Sequence, residues 1–338
     1  MSRRRRRLHV LFAAALLFAC GREPEKQREL QPVKVAKSAY LTNAPMIIGD
    51  AEGYFAREGI RLQMVDLPNT SVQGLPALGS GEVDVVSAAM SVGFFNAVAS
   101  GTDLRIVADR GHFEPRHCES FGVVGRRSLF GDRPVRAADL RGRRFALNAV
   151  GATGYLAAIY LKQFGMDFSD IEIIRLPATA ERQALDDGTI DVVARSDPFF
   201  FHLMQGGHRL LAGGNALSPG SHLAVLVFGP SLLRRDRDLG QRFMTAYLRS
   251  VRKYNEGATP RNVALVSNGL GLDTADLKRM CWGSTSGDGA VNMKSLIDYQ
   301  QWAVEIGQSS KILDTTLVTD PEFAARAAQI LDAESGRR

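Results

Sequence analysis

An internal repeat constrains the fold of this chain more than any other feature. Residues 67–86 contain Leu-Pro-Asn-Thr and then Gly-Glu-Val-Asp-Val-Val, and residues 176–193 contain Leu-Pro-Ala-Thr and then Gly-Thr-Ile-Asp-Val-Val. In both copies an apolar strand precedes the loop and a short helical segment separates the two motifs. The repeat therefore predicts two topologically similar α/β lobes, each built around a sheet.

A glycine-rich turn follows a short apolar strand in the second lobe. Phe145 to Leu147 is typical of a strand buried on both faces of a parallel sheet, and Gly151 to Gly154 leads into an amphipathic helix from Tyr155. A helix N-terminus after such a turn presents free N–H groups to a small polar or anionic ligand. Turn geometry alone explains the glycines equally well. By the repeat, the turn at Asn43 is the counterpart in the first lobe, and we expect the two turns to face each other.

Two segments without apolar periodicity connect the lobes. These are residues 110–118 and 213–220. Because there are two crossings, the chain returns to its first lobe, and a pair of crossings can act as a hinge. We therefore predict that residues 33–115 and 219–338 form lobe 1 and that residues 116–218 form lobe 2.

The net charge of +6 is concentrated in the first residues. Five of these charges are Arg3 to Arg7, so the remainder of the chain is close to neutral and gives no support for nucleic-acid binding. The basic run precedes an apolar stretch that is too short for a stable membrane anchor. We interpret residues 1–19 as a signal peptide. Leu17-Phe18-Ala19-Cys20 resembles the lipobox of bacterial lipoproteins, which implies lipidation of Cys20 and a polar tether over residues 20–32.

Cysteine and histidine placement gives little support for a metal centre. Once Cys20 is assigned to lipid, Cys118 and Cys281 remain, and an extracytoplasmic location permits a disulfide between them. We expect two separately buried thiols, because burial is the default for cysteine. His112, Glu114 and His117 are metal-capable, but an irregular segment offers no metal-ligand spacing. We therefore predict no metal and no cofactor.

Several motifs together resemble a known family, the extracytoplasmic solute-binding proteins of ABC importers of the sulfonate, nitrate and taurine type, whose wider group includes binders of thiamine-pyrimidine precursors. The matching motifs lie at 51–60 (Ala-Glu-Gly-Tyr-Phe-Ala-Arg-Glu-Gly-Ile), at 138–144, at 188–191 followed by Asp197-Pro198-Phe199, and at 288–302. The resemblance covers about residues 33 to 330. It implies a two-lobe type II periplasmic-binding-protein fold of the α/β class with two hinge crossings.

By position, the resemblance implies a ligand cleft lined by segments that follow the carboxyl ends of strands. The implied ligand-binding residues are Asn43, Ala44, Pro45, Thr70, Gln73, Ser87, Met90, Gly151, Ala152, Thr153, Gly154, Tyr155, Arg195 and Asp197. Asn43 and Thr153 are equally plausible as plain helix caps, and Gln73 as a solvated turn residue. Arg195 suits a carboxylate, sulfonate or phosphate, whereas Asp197 suits an amine. These two residues predict ligands of opposite charge.

The resemblance implies a binding protein without enzymatic activity. It would capture a small organic solute (a sulfonate, nitrate or an amino-pyrimidine-like compound) in the interlobe cleft and deliver it to an ABC permease and its ATPase. We expect a monomer that is held on the periplasmic side of a membrane through lipid on Cys20. An enzyme or a ligand sensor on the same two-lobe fold is the alternative, because function is determined by the site rather than by the fold.

Overall fold

The computed structural model describes residues 29–37, 40–67, 70–222 and 224–337. The predicted signal peptide, the predicted lipidation site Cys20 and most of the predicted tether lie outside the described residues.

Ten strands form two five-stranded sheets. The strands are β1 (Gln31–Lys37), β2 (Ile60–Asp66), β3 (Val85–Ala89), β4 (Arg105–Asp109), β5 (Phe121–Gly125), β6 (Arg144–Ala146), β7 (Glu172–Ile174), β8 (Val192–Ser196), β9 (Arg209–Gly213) and β10 (Ala224–Phe228). The order is β2-β1-β3-β10-β4 in the first sheet, which we call lobe 1 with its helices, and β7-β6-β8-β5-β9 in the second sheet, which we call lobe 2 with its helices. The fourth strand of each order, β10 or β5, runs antiparallel to both of its neighbours.

The two sheets confirm the internal repeat. Asp84 and Asp191, the shared aspartates, immediately precede the central strands β3 and β8. Asp84 Oδ2 accepts a hydrogen bond from the backbone N–H of Lys34 at 2.9 Å, and Asp191 Oδ2 accepts one from the backbone N–H of Arg144 at 3.1 Å. Each aspartate thus ties the central strand to the same neighbouring strand, β1 or β6. The repeated residue is structural in both lobes.

Sixteen α-helices cover the sheets within the described residues. They are α1 (Ala44–Ala51), α2 (Tyr54–Arg57), α3 (Thr70–Ser80), α4 (Val92–Ala99), α5 (Arg127–Phe130), α6 (Ala137–Leu140), α7 (Ala152–Lys162), α8 (Glu181–Asp186), α9 (Phe199–Gln205), α10 (Gly214–Leu217), α11 (Arg237–Tyr254), α12 (Pro260–Leu270), α13 (Thr274–Arg279), α14 (Met293–Glu305), α15 (Thr315–Val318) and α16 (Glu322–Ser335). None of the described helices combines the length and the apolar composition needed to cross a lipid bilayer.

The chain crosses between the sheets twice, after β4 and after β9, as the irregular segments predicted. The crossings run side by side: Phe113 N donates to Ser221 O at 3.0 Å, and Gly220 N donates to Phe113 O at 2.7 Å. His112 and His222 form an antiparallel bridge next to these bonds. After the second crossing β10 joins the first sheet. The bounds of the two lobes stay a prediction.

A disulfide joins Cys118 to Cys281, so the expectation of two separately buried thiols is wrong. Cys118 lies exposed at the end of the first crossing, and Cys281 lies buried beyond α13. Their sequence separation is 163 residues. Burial statistics failed here because they treat each cysteine alone, whereas the fold brings these two together.

Candidate functional site

The carboxyl ends of the parallel strands of the two lobes face each other. Asn43 follows β1 and Arg110 follows β4 in lobe 1, and Asp197 follows β8 in lobe 2. The two edges are in contact, since Leu41 N donates to Asp197 O at 3.4 Å and the rings of Tyr40 and Phe199 lie 5.5 Å apart. Ligands bind at such edges in open α/β sheets.

Arg110 is a buried cation at this interface. Its side chain is only 3% exposed. Nη1 donates to Asn43 Oδ1 at 2.9 Å and to the hydroxyl of Ser87, while Nε has no hydrogen-bond partner in the part of the chain that the structure describes. No ion pair among the described residues includes Arg110. Burial lowers the pKa of Arg110 to about 10, so the guanidinium remains charged at neutral pH.

A buried charge without a counterion is costly unless a ligand supplies one. Asn43 and Ser87 accept hydrogen bonds from one edge of the guanidinium and orient it, leaving Nε for another acceptor. The group of Arg110, Asn43 and Ser87, which we call the anion seat, can therefore bind a small anion. Two of its three residues were among the predicted ligand-binding residues.

Arg195 and Glu181 form a buried ion pair in lobe 2. Arg195 Nε donates to Glu181 Oε2 at 2.7 Å, and Arg195 Nη2 donates to Glu181 Oε1. Burial raises the pKa of the Glu181 carboxyl, and Arg195 reduces that shift. Two N–H groups of the Arg195 guanidinium are thus bonded to a carboxylate within the protein, so its charge is already compensated. Tyr40 lies within electrostatic range of both Arg110 and Arg195, which places the pair and the anion seat in one region.

Asp197 is buried with one carboxylate oxygen unpaired. The residue is 4% exposed. Oδ1 accepts a hydrogen bond at 2.9 Å from Phe201 N in the first turn of α9, while Oδ2 has no hydrogen-bond partner among the described residues. Burial raises the pKa of Asp197 to about 8. The carboxyl is therefore mostly neutral at pH 7. Glu181 thus compensates the positive charge of Arg195, and the raised pKa removes most of the negative charge of Asp197. The positive charge of Arg110 remains.

The glycine turn of lobe 2 lies directly against lobe 1. Ser91 forms a bridge with Gly151, and Val92 N donates to Val150 O at 3.1 Å. Thr153 Oγ1 accepts a hydrogen bond from Asn148 N at 3.1 Å. A Cβ atom on Gly154 would lie 2.4 Å from the carbonyl oxygen of Ala149. Close packing of the turn therefore requires the glycine. A ligand role for Gly151, Ala152, Thr153 and Gly154 stays a prediction.

Three aromatic residues close the cleft at this end. The Tyr155 ring, from lobe 2, packs 5.1 Å from the Tyr299 ring and 5.4 Å from the Trp302 ring, both on α14. The Tyr299 hydroxyl reaches the carbonyl oxygens of Met90 and Val150 at 3.3 and 3.1 Å. Tyr155, which the sequence placed in the ligand site, thus contacts lobe 1, whereas Met90, placed there too, is bonded to Tyr299 within lobe 1. The structure describes the lobes in contact with each other.

The remaining predicted residues are divided between core and surface. Ala44 and Pro45 are buried in the first turn of α1, and Gln73 is exposed on α3. Thr70 begins α3, but its side chain lies outside the described part of the chain. These positions stay predictions as ligand-binding residues.

A hydrogen-bonded network surrounds Asp109, next to the anion seat. Its carboxylate accepts from His112 Nδ1 at 2.7 Å, His222 Nδ1 at 2.9 Å, and the backbone N–H groups of Gly111 and Ser286 at 2.8 Å. Although burial alone would raise the pKa of Asp109, the two histidine bonds hold that pKa well below its usual range. Asp109, His112 and His222 are close enough to share a metal ion. However, His222 Nε2 also accepts from Asn292 N at 2.6 Å, so His112 Nε2 is the ring nitrogen of the two histidines without a partner in the described chain.

The sequence reasoning missed Arg110 and Glu181. Arg110 was assigned only to a connecting segment, although an arginine directly after an apolar strand was a usable signal. Glu181 gave no signal, because its pairing with Arg195 depends on how the start of α8 packs against β8.

The strand orders and paired crossings define the two-lobe fold of periplasmic binding proteins, as the motifs predicted. The chain belongs to the family described as NMT1/THI5 like, whose sequence profile matches residues 42–256. This family assignment confirms the resemblance inferred from the motifs.

One sequence relative and two solved structures are similar to this chain. A relative from Escherichia coli (strain K12), provisionally described as an aliphatic sulfonates-binding protein, is 31% identical over 160 residues, which cover 47% of this chain and 47% of the relative. The match thus spans about half the length of that relative. The ligand-binding component of an ABC-type import system from Staphylococcus aureus, solved with zinc bound, has a TM-score of 0.74 at 16% identity, covering 88% of this chain and 99% of that one. The desulfurization enzyme DszB has a TM-score of 0.68 at 14% identity, covering 89% and 99%. These two structures establish the fold alone.

Proposed function

We propose that this chain is an extracytoplasmic binding protein that captures a small anion of the sulfonate class between its lobes and delivers it to an ABC permease and its ATPase. The observation that carries the proposal is Arg110, a charged and buried guanidinium with no ion-pair partner among the described residues. A bound anion would supply that partner.

The other ionisable groups near the anion seat support the same sign of charge. Glu181 compensates Arg195, and the raised pKa of Asp197 keeps most of that carboxyl neutral at pH 7. Arg110 is thus a cation that no carboxylate contacts among the described residues, and the ionised Asp109 acts on it only at a distance. This favours a sulfonate or nitrate over a neutral amino-pyrimidine. The provisional description of the Escherichia coli relative points to the same class of ligand.

A thermal-shift panel tests the proposal. Purified protein would be heated with an alkanesulfonate, nitrate, a carboxylate, an amino-pyrimidine and an alkylammonium salt. A ligand present at about 100 times its Kd stabilises the folded state by about 2.7 kcal/mol, which raises the melting midpoint. We expect the sulfonate to produce the largest shift. A shift with the amino-pyrimidine and none with any anion would contradict the proposal.

The fold does not separate binding from catalysis, because DszB shares it. We propose binding without turnover. Incubation of the protein with a bound sulfonate should return the solute intact by mass spectrometry, and release of sulfite would instead assign an enzyme.

The first residues support a membrane-anchored location. We propose that residues 1–19 are removed, that Cys20 is lipidated, and that the protein acts as a monomer on the periplasmic side of the membrane. Membrane fractionation of cells expressing Cys20→Ala should find the variant in the soluble fraction. Retention in the membrane would overturn the lipid anchor.

A further inference from the structure

The disulfide between Cys118 and Cys281 lies beside a histidine whose ring nitrogen faces both sulfur atoms. His117 Nδ1 lies 3.3 Å from Cys118 Sγ and 3.7 Å from Cys281 Sγ, and the three atoms all lie within 4.8 Å of one another. In the described chain, Nδ1 has polar contacts with these two sulfur atoms alone. Two cysteine sulfurs and one imidazole nitrogen are a ligand set that suits zinc.

The nitrogen-to-sulfur distances match those in a tetrahedral zinc site. Zinc lies about 2.3 Å from a cysteine sulfur and about 2.0–2.1 Å from a histidine nitrogen, so at the tetrahedral angle the nitrogen and the sulfur are about 3.5 Å apart. The observed distances of 3.3 and 3.7 Å lie on either side of this value. The two sulfur atoms, which are bonded to each other here, must separate to about 3.8 Å to share a zinc ion. Rotation of the cysteine side chains supplies this separation once the disulfide is reduced.

The backbone holds His117 and Cys118 in place independently of the disulfide. Asn215 Nδ2, from the second crossing, donates to the carbonyl oxygens of His117 at 3.0 Å and of Cys118 at 3.2 Å. Arg116, the preceding residue, has a φ of 74° and is the one non-glycine residue with a positive φ in the part of the chain that the structure describes. Such a conformation is strained for arginine, and backbone strain is concentrated at functional sites.

The exposure of the three side chains allows a metal ion to enter. His117 and Cys118 are exposed to solvent, whereas Cys281 is buried. Within the described residues, no fourth side chain of the ligand type belongs to this group. Water would therefore fill the fourth position, as it does in zinc sites with three protein ligands.

Thiol–disulfide exchange connects the oxidised and the zinc-binding forms. A thiolate of a dithiol reductant attacks the exposed Cys118 sulfur, and Cys281 leaves as a thiolate. The second thiol of the reductant then releases Cys118, so two electrons pass to the protein and the reductant becomes a disulfide. Zn²⁺ replaces the protons of the two thiols without a change in its oxidation state. The chain is also synthesised with both cysteines as thiols, before any disulfide forms.

We propose that His117, Cys118 and Cys281 form a zinc site in the dithiol form of the protein. Zn²⁺ there takes the place of the disulfide and joins the end of the first crossing to the segment that follows α13. This site does not depend on the solute that the cleft binds.

Zinc titration of the oxidised and reduced forms tests the proposal. The full chain is prepared with Cys20→Ala, so that Cys118 and Cys281 are its two cysteines. One sample is kept oxidised, and the other is reduced with a phosphine, which adds no competing thiol. We expect the reduced form to bind one Zn²⁺ per chain at least about a hundredfold more tightly than the oxidised form, because loss of even an outer partner of a ligand costs about tenfold to a hundredfold. Equal affinity of the two forms would overturn the proposal.

Histidine variants identify the third ligand. His117→Ala keeps both cysteines, and in the reduced form its affinity for Zn²⁺ should fall by about tenfold or more. His202→Ala is the matched control, because His202 is a partly exposed histidine whose Nδ1 lies 4.0 Å from Asp276, away from the disulfide. Unchanged affinity in His117→Ala would overturn the role of this histidine. Zinc binding that is lost in His112→Ala, and kept when both cysteines are replaced by serine, would assign the metal to Asp109, His112 and His222 and contradict the proposal.

Cobalt provides a direct view of the ligands. Co²⁺ bound to the reduced protein should show sulfur-to-cobalt charge-transfer absorption in the near ultraviolet and the visible bands of tetrahedral cobalt. Both should disappear when Cys118→Ser and Cys281→Ser are combined. Cobalt binding without the charge-transfer absorption would exclude the sulfur ligands.

A thermal measurement covers the case in which reduction destabilises the chain. Zn²⁺ that binds the folded dithiol form raises its melting midpoint by mass action, and the double serine variant should not respond. If reduction unfolds the chain, added Zn²⁺ should restore the circular dichroism spectrum of the folded protein. A reduced chain whose melting midpoint and spectrum are unaffected by Zn²⁺ would overturn the proposal.

Discussion

The guanidinium of Arg195 is held at two points by the carboxylate of Glu181, and the pair is buried inside lobe 2. Because of this ion pair, Arg195 contributes no net charge to the cleft. The pair leaves Arg110, on the opposite lobe, as the uncompensated cation among the described residues of the site.

The ion pair predicts a large loss of stability when one partner is removed. Glu181→Gln leaves the Arg195 charge buried and unpaired, and we expect the free energy of unfolding to fall by about 3–5 kcal/mol. Urea denaturation followed by circular dichroism measures the change. Asp132→Asn is the control, because its pair with Arg127 is exposed and should contribute less than about 1 kcal/mol. Equal effects of the two substitutions would contradict this account of Arg195.

The lobe contact at Tyr299 predicts a cost for removing one hydroxyl. Tyr299→Phe loses the one hydroxyl proton that reaches the carbonyl oxygens of Val150 in lobe 2 and Met90 in lobe 1. We expect a loss of about 1 kcal/mol together with a larger radius of gyration in small-angle X-ray scattering. Tyr160→Phe is the matched control, because the buried Tyr160 hydroxyl has no hydrogen-bond partner among the described residues and its removal should cost nothing. An unchanged scattering curve for Tyr299→Phe would show that this contact does not hold the lobes together.

Much of the architecture could be predicted from the sequence, because the same short motifs occur in both lobes. The shared aspartates Asp84 and Asp191 marked equivalent strands, and two segments without apolar periodicity marked the crossings. The charge state of the site could not be predicted. The partner of Arg195 comes from another element. The significance of Arg110 lies in the lack of an ion-pair partner among the described residues, which only the folded arrangement reveals.

The buried Asp197 predicts an unusual dependence of stability on pH. Its pKa is about 8 in the folded protein and 3.8 without the effect of burial, so between these values the folded state binds more protons than the unfolded state. Stability contributed by this group is therefore present below about pH 4 and is lost as the pH rises through about 8. Relative to Asp197→Asn, the wild type should lose about 2 kcal/mol or more between pH 4 and pH 9. Denaturation curves at several pH values give the difference in the free energy of unfolding. If this free energy changes with pH in parallel for the wild type and Asp197→Asn, the burial effect on the pKa of Asp197 is contradicted.

The disulfide predicts sensitivity to reduction. Cys118→Ser combined with Cys281→Ser removes a cross-link that closes a long loop, and we expect a loss of about 2–5 kcal/mol. The wild type in reducing agent should match the double variant, and the variant itself should not respond to reductant. A melting midpoint that is independent of reductant in the wild type would show that the cross-link contributes nothing to stability.

The central claim is that Arg110 is the group that binds the anion. Arg110→Met removes a buried unpaired charge, so the ligand-free variant should be at least as stable as the wild type. Its affinity for propane-1-sulfonate should nevertheless fall by about thirtyfold or more. Arg234→Met, which removes an exposed arginine paired with Asp103, should leave affinity unchanged. Calorimetric titration of the three proteins with propane-1-sulfonate decides the matter: loss of affinity in Arg110→Met alone supports the account, and full affinity in a folded Arg110→Met protein contradicts it.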